Sequence, residues 1–301
     1  MQLENLSSAV ARVLALSVTL CCLSPDFVSA QDDVADIPSE EISLSSPDAK
    51  DAKDKDKDKD KETAPELSYF LIGPRKGVKA PPRGYGVLCI LPGGDGGKDF
   101  ISFSKRIFKN VLGPDWVAAQ LIAPKWERSA HVVWPTDTTE GRGKLPSTED
   151  FVESVIDDVS RRVPVDPARV HLLAWSSSGP AAYAVSLRKS KSVTGFYIAM
   201  SVFKPDQLPP LGEAKGEAYY LSHSREDKVC PFAMAKEAEK LLTKAGAKVK
   251  LQTYEGGHGW MGPIYPHMKT AFAWLDGNHA PADKKVWAER AERLKARKKK
   301  K

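Results

Sequence analysis

Between residues 66 and 278 the apolar positions of this chain fall into short runs separated by polar, glycine-containing breaks. Seven runs read as strands: residues 68–72, 85–91, 117–123, 170–175, 194–201, 218–223 and 249–254. Several are continuously apolar rather than alternating, as parallel strands covered on both faces should be. Between them the period becomes helical. Phe151, Val152, Val155, Ile156 and Val159 form one stripe, with Ser147 and Asp150 set as a capping box at its start. Residues 233–245 and 268–275 give two further helical segments. Strand–helix alternation predicts one α/β domain over residues 66–278, with a mostly parallel central sheet and helices on both faces.

The two ends of the chain follow other patterns. Residues 1–30 read as an export signal: Ala9 to Leu23 is an apolar h-region, and Val28-Ser29-Ala30 is a cleavage site before Gln31. The expected location is therefore secreted or periplasmic. Residues 31–65 bury nothing by composition and read as a disordered charged linker. From Lys50 to Glu62 six lysines meet six acids, so this linker is no nucleic-acid arm. Residues 279–301 read as a basic helix and tail, in which Val286, Trp287, Ala291 and Leu294 share a face. From Lys284 onward ten Lys/Arg oppose two Glu, a balance of +8 in a chain of net +6. Everything upstream sums to −2, so the folded part offers no basis for specific nucleic-acid binding. The tail could touch an anionic surface by charge alone, or serve only to solubilise.

Candidate chemistry gathers at three strand ends. The run R-V-H-L-L-A-W-S-S-S-G-P-A-A-Y-A, residues 169–184, passes from a buried strand through serines into an alanine-rich helix. A strained corner needs small residues two before and two after the nucleophile. Centring on Ser176 places Ala174 and Ser178 there, whereas centring on Ser177 would place Trp175 in one of them. Ser176 is the better nucleophile. His258, flanked by glycines in Y-E-G-G-H-G-W, is the candidate base. Asp227, in H-S-R-E-D-K-V-C-P, is the candidate acid, preferred to Glu226 by its place relative to the strand and Pro231. The loop L-P-G-G-D-G-G after strand 85–91 lets backbone N–H groups approach an oxygen; Gly94 and Ser177 are the candidate oxyanion donors. Its spacing matches neither the P-loop nor the dinucleotide fingerprint.

Together the serine corner, acid loop and histidine loop, in the order Ser, Asp, His, resemble the serine α/β-hydrolases. More narrowly they are similar to the phospholipase/carboxylesterase and dienelactone-hydrolase-like branches, including feruloyl-esterase-like enzymes. The resemblance spans about Gly84 to Leu275. It departs at Pro92, where many relatives carry histidine, and at Ala174 and Ser178, where glycines are usual. It implies the α/β-hydrolase fold and an acyl-enzyme mechanism on a small or polymer-linked ester. It implies no metal or organic cofactor. Trp134, Trp175 and Trp260 are candidate walls of the substrate site, with Trp126 nearby. A peptidase or thioesterase could use the same triad, and a non-catalytic surface-binding protein could use the same scaffold. Cys89 and Cys230, left after the leader, are either paired or two buried thiols; the apolar strand around Cys89 favours thiols.

Overall fold

The computed structural model describes residues 32–44, 67–126 and 132–298. The expected leader and the lysine–aspartate repeat lie outside the described residues. The chain divides into two compact units, Met1–Asp36 and Ile37–Lys301. Of the first, the described residues hold one short 3-10 turn, Asp32–Val34.

In the second unit, eight strands among the described residues form one sheet. They are β1 (Ser39–Leu44), β2 (Leu67–Ile72), β3 (Tyr85–Leu91), β4 (Trp116–Ile122), β5 (Val165–Trp175), β6 (Gly195–Ala199), β7 (Ala218–Ser224) and β8 (Lys248–Tyr254). Their order is β1-β2-β4-β3-β5-β6-β7-β8. β2 pairs antiparallel with β1 and β4, and every pairing from β4 to β8 is parallel. The carboxyl ends of β3, β5, β6, β7 and β8 therefore share one edge, where loops can converge on a site.

Six α-helices follow among the described residues: α1 (Ile101–Asn110), α2 (Thr148–Arg162), α3 (Gly179–Ser186), α4 (Phe232–Lys244), α5 (Ile264–Asn278) and α6 (Lys284–Lys298). All seven residues of β3 are buried, which explains its unbroken apolar run. Burying each such Val, Leu or Ile side chain stabilises the fold by about 1.5–3 kcal/mol. Val87, Cys89 and Leu91 share one core with buried residues of α2, α3 and α4. The buried residues of α1 and α5 lie outside that core, so those helices cover the opposite face. The Ser147 cap holds as expected, its Oγ accepting from the Asp150 amide at 3.2 Å.

Two expectations at the ends are corrected. Residues 39–44 were expected within the disordered linker, yet they form β1 at the sheet edge. Ile42 is buried opposite Tyr69, and the ladder from Ser39–Ile72 to Leu44–Leu67 supplies hydrogen bonds that need no apolar side chain. Glu40 and Glu41 pair with Arg162 and Lys98, the kind of charge that discourages further pairing at an edge. In α6 Val286, Trp287 and Leu294 are half-buried as expected, but Ala291 is exposed and the most buried residue is Arg290, 2% exposed. Arg290 pairs with Asp157 and Glu153 of α2, and its guanidinium lies 4.4 Å from the Trp287 ring. Cys89 and Cys230 are both buried and unpaired with each other.

Candidate active site

β5 runs into α3 through a 3-10 turn at Ser176–Ser178, and Ser176 takes a φ of +56°. A side chain there costs roughly 1–3 kcal/mol, so the surroundings must enforce it. They do so from two sides. A Cβ on Gly179 would lie 2.3 Å from Cβ of Ser201, so only glycine lets the helix start approach the end of β6. The Ser201 hydroxyl donates to the Ser176 carbonyl at 2.8 Å. Ser178, standing where relatives carry glycine, is fully buried and turned to use. Its Oγ lies 2.6 Å from the Leu91 carbonyl and accepts from the Trp175 amide at 3.0 Å, tying β3 to the corner.

Ser176 Oγ lies 3.0 Å from Nε2 of His258, and Nδ1 of His258 lies 2.8 Å from Oδ2 of Asp227. The three residues expected to cooperate are thus hydrogen-bonded in series, each on a loop leaving a different parallel strand. Asp227 is buried, and its Oδ1 accepts from the amides of Val229 and Cys230, both at 2.8 Å. These two donors fix the orientation of the carboxylate, leaving Oδ2 toward His258.

The acid and histidine loops are also stitched together by residues outside the expected triad. Ser224 Oγ accepts from the amides of Glu226 and Gly257, each at 3.1 Å. Glu226, set aside as the acid, accepts from the Gly256 amide at 3.1 Å. Tyr254 donates to the Gly259 carbonyl at 2.8 Å. His223, buried on β7, reaches both the Cys230 carbonyl and Asp227.

In the loop after β3, the Gly96 amide donates to the Gly93 carbonyl at 3.0 Å, closing a turn. A trans peptide points its N–H opposite its C=O, so the Gly94 amide faces out of that turn. Ser177 Oγ donates to the Gly94 carbonyl at 2.8 Å, holding this loop to the corner. A Cβ on Gly93 would lie 2.6 Å from the Trp175 ring, and one on Gly96 would lie 2.4 Å from Ala123. Both glycines are required by close approach. Pro92, the departure from the usual histidine, accepts a hydrogen bond from the Trp134 indole at 2.9 Å.

The expected tryptophans separate. Trp134 is buried beneath the glycine loop and joins Trp126, Thr136, Pro180, Tyr183 and Leu208 in lining a pocket of about 640 Å³. Trp175 is 5% exposed, packed edge-on against Phe100, Phe103 and Trp260. It supports the glycine loop from below and is not an open wall, a correction that follows from its position on a central strand. Trp260 is half-buried, and its Nε1 has no partner among the described residues.

Asp227, Cys230 and His258 offer ligand atoms within 4.8 Å of one another. As metal ligands they fit poorly. Asp227 and His258 are already bonded to each other, and burial pushes the Cys230 thiol up to about 12, so a metal must displace its proton.

The sheet order, with its antiparallel β2 and a strained serine between β5 and α3, defines the α/β-hydrolase fold. Solved structures share it. A carboxylesterase from Bacillus cereus is 14% identical with a TM-score of 0.52, over 70% of this chain and 94% of its own. A thermostable esterase from Pseudomonas putida ECU1011 is 13% identical with a TM-score of 0.56, over 85% and 90%. Thermogutta terrifontis esterase 2 is 16% identical with a TM-score of 0.52, over 72% and 91%. No family model matches the chain, and no curated protein matches it in sequence.

Proposed function

We propose that the chain is an exported serine hydrolase that cleaves carboxylic esters through an acyl-enzyme. The observation that carries this reading is the series Ser176–His258–Asp227, bonded at 3.0 and 2.8 Å around a serine held at positive φ. The fold, shared with several esterases, supports it. In this mechanism Ser176 Oγ attacks the ester carbonyl while Nε2 of His258 takes its proton. Asp227 keeps the imidazole in the Nδ1–H tautomer and stabilises the imidazolium. The Gly94 and Ser177 amides receive the tetrahedral oxyanion. The imidazolium then protonates the departing alcohol, and water, deprotonated by His258, releases the acid and restores Ser176.

The test is hydrolysis of p-nitrophenyl acetate and butyrate by wild type and Ser176→Ala. Thermogutta terrifontis esterase 2 was captured phosphorylated by paraoxon. We expect the same reagent to phosphorylate Ser176 here, read by peptide mass spectrometry. A wild-type protein inert to both esters and to paraoxon would remove the enzymatic reading in favour of a binding role. Thioester and amide analogues of the best ester decide between the leaving groups. Export is tested separately, by the mature N-terminus, expected at Gln31.

A further inference from the structure

His223 lies on β7, four residues before Asp227, and is 2% exposed. Its Nε2 is 2.7 Å from the Cys230 carbonyl oxygen and 3.3 Å from Oδ2 of Asp227. A carbonyl only accepts, so Nε2 carries the proton and the ring is the Nε2–H tautomer. That one N–H therefore also faces the carboxylate oxygen that His258 uses. We propose that His223 is a positioning residue for the acid–base pair, its shared Nε2–H pinning Oδ2 of Asp227 and moderating its pull on the Nδ1 proton of His258. This rests on the triad reading above.

The two amides on Oδ1 come from Asp227's own loop, whereas the Nε2–H that lies 3.3 Å from Oδ2 is carried by a strand of the sheet. The charged and titratable groups around His223 are few. Burial raises the Cys230 thiol and the Tyr254 phenol, so both stay neutral. Burial also holds His223 itself toward the neutral imidazole. Glu226 is engaged by the Gly256 amide, and Arg225 lies over the Phe232 ring, whose edge meets His223. Asp227 is thus the fixed charge that His223 meets, and His258 is the one that changes during turnover.

A carboxylate stripped of one donor is more basic and draws the neighbouring imidazole proton harder. His223→Phe should move the acid limb of kcat/KM upward by about 0.5–1 pH unit and lower kcat about tenfold. His223→Gln, whose amide N–H can reach the same point, should restore most of both. If His223→Phe loses activity with the limb unmoved, or His223→Gln is no better, the side chain only fills space and the proposal falls. Selective ¹⁵N-histidine labelling of wild type decides the matter should His223→Phe fail to fold. We expect His223 to remain the Nε2–H tautomer from about pH 5 to 9, with its Nε2 shift following the titration of His258. An Nδ1–H tautomer, or a shift blind to His258, would overturn the proposal. Wild type inert to esters and paraoxon would instead overturn the triad reading, while the labelling result still judges the His223–His258 coupling.

Discussion

The hydroxyl of Ser177 donates to the carbonyl of Gly94 at 2.8 Å, joining the two loops assigned to the oxyanion. Ser177 and Gly94 are separated by 83 residues, so this bond, with that from Ser178 to Leu91, sets how far apart the two amides sit. Ser177→Ala keeps both amides and loses the tie. One hydrogen bond is worth about 0.5–1.5 kcal/mol, so kcat should fall roughly 2- to 12-fold with KM little changed. Ser176→Ala removes the nucleophile and should fall by about four to six orders of magnitude. Steady-state kinetics on p-nitrophenyl butyrate compares them; a dead Ser177→Ala beside an active Ser176→Ala would move the nucleophile by one residue.

Gly179 should tolerate no side chain. Its φ of −61° suits any residue, so the constraint is contact alone. The added Cβ would meet Oγ and Cβ of Ser201 at 1.8 and 2.3 Å, too close for rotation of the serine to relieve. Gly179→Ala is expected to destabilise by about 3 kcal/mol or more, read by urea unfolding. Ser201→Gly in the same chain removes the clashing atoms and should recover most of the loss. A double variant as unstable as the single one would mean the corner is held by something else.

The legible parts of the molecule were those where chemistry and local pattern coincide. The apolar run into S-S-S-G, the acid four residues after a strand, and the histidine among glycines each announce a strand end. What escaped was set by contacts that the local pattern does not announce. His223 sits in an apolar strand and reads as core until Asp227 is placed beside it. Gly179 reads only as the end of the serine run, while its actual role is the approach to Ser201. In S-E-E-I-S-L the charges hide a strand whose stability comes from backbone pairing at an edge. Arg290 is one basic residue among ten at the C-terminus, and its partner Asp157 lies 133 positions away.

Stability should decline from acid toward neutral pH through Glu149. This residue opens α2 at 2% exposure, with Oε1 accepting from the Asp137 amide at 3.2 Å and Oε2 buried without a partner among the described residues. Burial pushes its carboxyl up to about 7; two backbone hydrogen bonds and Arg188 oppose the rise, and Asp137 adds to it. The native state thus keeps its proton where an unfolded glutamate, near about 4.3, has lost it. The associated stability is complete below that value and is lost as pH rises to about 7. Between about pH 5 and 8 wild type should lose stability by roughly 1–3 kcal/mol, and Glu149→Gln should show a flatter dependence. Urea midpoints at both pH values test this; parallel curves for the two proteins would exonerate Glu149.

Arg290 is expected to be the residue that docks α6. Its guanidinium, on a side chain 2% exposed, is held by Asp157, by Glu153 at 2.9 Å and by Ser192 Oγ at 2.8 Å. Arg290→Met keeps an apolar stem of similar reach and removes the charge. Its acidic partners are about a quarter exposed and Arg293 also reaches Asp157, so they are left only partly unpaired. The cost should be about 1–3 kcal/mol, below that of breaking a fully buried pair. Adding Glu153→Gln should return part of it. This governs how the basic tail must be probed for anionic surfaces: deleting residues 284–301 would also strip the dock. Replacing the exposed Lys284, Lys285 and Lys295 with Gln should change stability by no more than about 0.5 kcal/mol. If sedimentation with anionic vesicles falls in that variant while its melting curve overlays wild type, the tail's charge acts on its own. If Arg290→Met melts like wild type, α6 is held by Trp287 and its neighbours, not by the ion pairs.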